Sequence, residues 1–74
     1  MQNEILKELG HNIKVERVKQ NYSQEQLAEK AGIQMQHLSV IENGASNVKF
    51  LTLIAIMNAL DVSLEELYNP KKKQ

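Results

Sequence analysis

Apolar residues recur along this chain at intervals of three and four rather than two, a period that predicts helices throughout. Leu6, Leu9, Ile13 and later Val18, with Lys, Glu and Gln between them, predict a first helix over 3–20. Asn21 follows it and tolerates the left-handed geometry that ends a helix. Gly10 inside this helix costs about 1 kcal/mol relative to alanine, and its presence predicts close approach of a neighbouring helix. Ser23 and Gln26 have the spacing of a capping box, and Tyr22 and Leu27 that of the accompanying hydrophobic staple. A second helix should therefore start at Gln24, bury Leu27, Ala28 and Ala31, and stop at Gly32.

A third helix follows a tight turn. Ile33, Leu38 and Ile41 face the core, Gln34, Met35, Gln36, Ser39 and Val40 face outward, and Gly44 takes the left-handed position after its end. Next comes a polar connection, then the almost continuously apolar run FLTLIAIMNAL over 50–60, a fourth helix. Phe50, Leu53, Ile56, Met57 and Leu60 share one face of it, expected inward, and Leu51, Ile54, Ala55 and Asn58 share another. Asp61 ends this helix. Ser63 with Glu66, and Val62 with Leu67, repeat the capping box and staple, so a fifth helix runs from Leu64 to about Tyr68 and halts before Pro70. The expected fold is all-α: a compact five-helix domain over 1–69 with a basic tail over 70–74.

Two short helices around a glycine-containing turn, the second with amides on its outer face, form the arrangement in which the second helix enters the DNA major groove. The segments SQEQLAEKAGI, LSVIENG and ALDVSLEEL closely resemble the phage-repressor and Cro type of helix-turn-helix domain, the XRE family, over roughly 9–68. That resemblance implies a sequence-specific transcriptional regulator that binds double-stranded DNA as a homodimer on a palindromic operator. The compact size and apolar fourth helix tilt the comparison toward the small controller proteins of restriction-modification systems. A protein-interaction module, an antitoxin or anti-repressor that keeps the fold without binding DNA, is the competing reading.

Charge supports the competitor. Nine basic residues balance nine acidic ones in the 74-residue chain, and between Ser23 and Gly44 a single lysine stands against three glutamates. Phosphate neutralisation by Lys and Arg normally supplies much of the affinity for DNA, so binding here must come from positioned donors, helix N-termini and doubling of the unit. There is no cysteine for a disulfide or a thiolate metal site. His11 and His37 have no third ligand candidate nearby, so neither a metal nor another cofactor is expected. No apolar run is long enough to span a bilayer and no signal-like segment precedes the first helix, so a cytoplasmic protein without a membrane or small-molecule partner is expected. Catalysis is not expected either, since no nucleophile and base share a supporting spacing and no glycine-rich phosphate loop is present.

Gln36 is the strongest candidate for reading a base, because a carboxamide bonds adenine N6 and N7 together. Gln34 and His37 suit bases or phosphates, and Met35 and Val40 suit thymine methyl groups. By analogy with the family, Gln24, Asn43 and Ser46 or Asn47 hold phosphates. Gln34 stands where relatives commonly carry a Ser or Thr cap, which loosens the start of the third helix. Arg17 lies one turn beyond Ile13, on the inward face of the first helix, where a charge needs a partner. The resemblance supplies Glu42; the alternative is an exposed arginine on a phosphate. Leu51, Ile54 and Ala55, extended by Leu64 and Tyr68, form the expected dimer surface, where the family usually has polar residues at 51 and 55.

Overall fold

Among the described residues five helices follow one another: α1 (Gln2–Lys19), α2 (Gln24–Ala31), α3 (Met35–Glu42), α4 (Phe50–Leu60) and α5 (Leu64–Leu67). The structure is a computed structural model and describes residues 2–69. The basic stretch Lys71–Lys73, expected to form a tail, lies outside the described residues. All-α architecture was expected, and the helix boundaries fall within a residue or two of those read from the pattern.

Local sequence accounts for most of the starts and stops. Ser23 and Ser63 each accept from the backbone N–H three residues on, while Gln26 and Glu66 bond back to the serine N–H, so both capping boxes form. Four of the helices end in the same way, with a left-handed residue at Asn21, Gly32, Gly44 and Asp61. In each case the next residue's N–H reaches back over the last turn: Tyr22 to the Arg17 carbonyl, Ile33 to Ala28, Ala45 to Val40 and Val62 to Met57, at 2.9–3.1 Å. These are Schellman closures, which satisfy carbonyls the helix itself leaves open. Asn and Asp serve at two of them because their short polar side chains tolerate positive φ better than other non-glycine residues.

Every helix sends at least one large side chain fully inside: Ile13, Leu27, Leu38, Ile56 with Leu60, and Leu67. Around these, α2 packs chiefly on α4, α1 on α3, and α5 on α1. Two amides on α1 fasten the far ends of the last two helices, Gln20 Nε2 donating to the Leu60 carbonyl at 2.7 Å and Asn12 Nδ2 to the Leu67 carbonyl. No helix among the described residues is long and apolar enough to cross a membrane.

One expected core position proves wrong. Phe50 is 73% exposed rather than inward, and Ala59 is buried on the inner face of α4 instead. Phe50 is the first residue of α4, and a helical Cβ points back toward the N-terminus, so its ring projects past the end of the helix where no core lies beneath it. Val18 is 54% exposed; counting onward from Ile13, the inward position goes to Arg17, as the sequence reading has it.

Gly10 shows what holds α1 against α3. A Cβ at this position would come closer than 3.0 Å to the backbone carbonyls of Ile41 and Glu42, which cannot move without unwinding the end of α3. Gly10→Ala should therefore destabilise the domain by about 1 to 3 kcal/mol despite alanine's better helix propensity, since backbone overpacking outweighs a gain of ~1 kcal/mol. Urea unfolding checks this; equal or raised stability would mean the helices separate cheaply.

Candidate nucleic-acid interface

The contact between α1 and α3 is closed by a small polar network. Arg17 Nε donates to Glu42 Oε2 at 2.7 Å, Nη2 to Oε1 at 3.2 Å, and Nη1 to the Tyr22 carbonyl at 2.8 Å. Both side chains are almost fully enclosed, with 10% and 2% of their surface exposed. A forked guanidinium on a carboxylate is the geometry in which such a buried pair leaves little unsatisfied. Gln24, the first residue of α2, adds a third donor, its Nε2 lying 2.9 Å from Glu42 Oε1. No buried side-chain nitrogen or oxygen among the described residues lacks a partner. Thus the N-terminus of α2, the C-terminus of α3 and the last turns of α1 meet on one carboxylate.

This network aims α3. Leu38, Ile41 and Glu42 are buried, which turns Gln36, Val40 and Asn43, at spacings of four and three, to the opposite side. Gln34, Met35, Gln36, His37, Val40 and Asn43 are all exposed. Gln34 occupies the N-cap without any side-chain cap bond, so the first N–H groups of α3 are left to solvent or to an incoming acceptor. Asn47 is exposed and Ser46 half-buried, with Ser46 Oγ making only a long 3.5 Å bond to the Asn47 carbonyl. Gln24 is half-buried, and one of its amide hydrogens is already committed to Glu42. That commitment lies between residues eighteen apart in sequence, and no local pattern signals it.

Beside the start of α3, a shallow groove of about 360 Å³ runs between α2 and α3, edged by Glu25 and Glu29 from one side and Gln34, Met35 and Gln36 from the other. The surface around α3 therefore offers amides, a thioether and an imidazole, with its carboxylates at the margin. Its chemistry suits hydrogen bonding to base edges and contact with thymine methyl groups.

Helix α4 also turns an apolar surface outward. Leu51 is 78% exposed, Ile54 and Ala55 are half-buried, and Phe50 joins them. Leu64 is 48% exposed, whereas Tyr68 is half-buried and packs against the core. The inclusion of Phe50 is the feature that periodicity alone misses.

A helix-turn-helix in this setting, its second helix exposed and polar, defines a DNA-binding module. Residues 13–67 match the helix-turn-helix family HTH_3, and the chain belongs to this XRE-type family. The fold is similar to that of the restriction-modification controller protein C.AhdI from Aeromonas hydrophila, with a TM-score of 0.82 and 28% identity over 85% of this chain and 96% of that one. A single-residue variant of the restriction-modification controller protein C.Esp1396I gives a TM-score of 0.75 and 32% identity over 80% of this chain and 75% of that one. A hypothetical transcription factor, NHTF from Neisseria, has the same fold, with a TM-score of 0.84 at 24% identity over 99% of this chain and 85% of that one. No significant match was found among curated protein sequences. The family and the controller-protein neighbours support a DNA-binding regulator of transcription.

Proposed function

We propose that this regulator acts as a homodimer on a palindromic operator, in the manner of a restriction-modification controller. The observation that carries the reading is the outward apolar face of α4, Phe50, Leu51 and Ile54, on a molecule whose recognition helix has no Lys or Arg of its own. One such neutral unit grips the phosphate backbone weakly, so specific binding calls for two units on one duplex. A two-fold axis through the α4 face would place two recognition helices about one DNA turn, or ~34 Å, apart. Two controller proteins above 25% identity with the same fold support the subtype.

In this reading Gln36 reads a base, Gln34 and His37 assist at bases or phosphates, and Met35 and Val40 contact thymine methyls. Gln24, Asn43, Ser46 and Asn47 hold the backbone on either side. Gln36→Ala should relax preference at one base position per half-site and weaken operator binding by about 1 to 3 kcal/mol, with the salt dependence nearly unchanged. Selection of sites from random duplexes with both proteins measures this directly. Identical base preferences would remove Gln36 from the reading face.

The uncharged recognition helix also favours a second reading, a protein-interaction module that has kept the fold without DNA binding. Gel-shift selection of the unmodified protein against random duplexes decides between the two. Recovery of a palindromic consensus supports the regulator; no enrichment at low salt supports the module.

A further inference from the structure

The recognition helix lacks a cation, but the fold brings one to its C-terminal end. Gly44 is buried, has a φ of 69°, and sits so tightly on α1 that a Cβ there would lie 2.6 Å from Lys7 Cα and 2.9 Å from Lys7 Cγ. The backbone of Lys7 and the first carbons of its stem therefore lie against the residue that directly follows Asn43. Lys7 is exposed, and neither of the two ion pairs found among the described residues involves it. Gly10, one turn further along α1, packs on the Ile41 and Glu42 carbonyls, so α1 runs along the end of α3 and delivers Lys7 at its edge. On the outer stripe of α3, Asn43 lines up with Gln36 and Val40, so this edge borders the reading face. Lys49 stands at the other end of the same loop.

We propose that Lys7 is a DNA-backbone contact, holding a phosphate beside the one reached by Asn43. The assignment rests on the DNA-binding reading and adds to it a cation from outside the helix-turn-helix. A lysine suits the role as a compact, strongly hydrated point charge on a flexible four-carbon stem, requiring no fixed geometry from its phosphate. It also explains how a motif with one lysine and three glutamates between Ser23 and Gly44 grips a polyanion: the charge comes from α1 across the Gly10 and Gly44 contacts.

The structural alternative is that Lys7 only complements the negative end of the α3 dipole, since the last turn of α3 carries no basic residue. Salt dependence separates the two. Each phosphate neutralised contributes about 0.9 to the slope of log K against log salt, so Lys7→Gln on a dimer should flatten it by about 1.8. Between 50 and 200 mM salt, the ratio of wild-type to variant affinity should therefore shrink about twelvefold. The probe is the duplex recovered by selection from random sequence, titrated with the full chain by fluorescence anisotropy. Lys7→Arg should restore the slope. Lys19→Gln, twelve residues on at the far end of α1, about 18 Å along the helix, should leave it unaltered. A Lys7→Gln protein that melts earlier but keeps the wild-type slope overturns the proposal and leaves the dipole role. A wild-type chain that binds no duplex at low salt overturns the DNA reading itself, and the proposal falls with it.

Discussion

Replacing Arg17 alone by Met should lower stability by about 3 to 5 kcal/mol, because Glu42 then remains buried without its counter-charge. The structure sharpens the reason. Only 2% of the Glu42 side chain is exposed, and among the described residues Gln24 would be left as the one side-chain donor on its carboxylate. The Tyr22 carbonyl also loses the Nη1 bond that helps hold the turn after α1. Adding Glu42→Leu to Arg17→Met should recover much of the loss, since an apolar pair of similar volume no longer asks for charge compensation. Equilibrium unfolding of the four proteins in the cycle gives the coupling. A coupling energy near zero would mean that the two charges are stabilised independently.

Fold and site differ in how far the sequence discloses them, and the difference follows the range of the interactions. The capping boxes at Ser23 and Ser63 and the left-handed ends at Asn21 and Asp61 are legible because all their partners lie within six residues. The inward stripe of α3 is legible because Leu38 and Ile41 are the apolar residues at helical spacing in a polar run. The exposure of Phe50 escapes periodicity because the pattern treats a helix as endless, whereas the first turn of α4 overhangs the core. The bond from Gln24 to Glu42 and the seat of Lys7 against Gly44 depend on how α1, α2 and α3 cross. Gly10 hinted that α1 makes a close approach, and only the assembled helices show that it is the end of α3 which approaches. The roles at bases and phosphates, carried by exposed side chains with few fixed neighbours, rest on the chemistry of each residue and on the family.

Leu51→Glu should convert the proposed dimer into a folded monomer with little affinity for its operator. On the free chain the change is mild, because Leu51 is 78% exposed and substitutions at such positions usually alter stability by no more than ~0.5 kcal/mol. In an isologous interface the same side chain is met twice, once from each chain across the two-fold axis. Burying two carboxylates without partners costs several kcal/mol each, so self-association should weaken about a thousandfold or more. Phe50→Glu should act in the same way, its ring being 73% exposed at the open end of the same surface. Ile54→Glu is a less clean probe, as Ile54 is half-buried already and part of its cost would fall on the monomer. Sedimentation at micromolar concentration reports the association, circular dichroism confirms that the monomer stays helical, and gel shift on the selected duplex reports the loss of binding. An unmodified protein that is strictly monomeric, with operator binding unchanged in Leu51→Glu and Phe50→Glu, would show that α4 is not the shared surface and that a single recognition helix suffices.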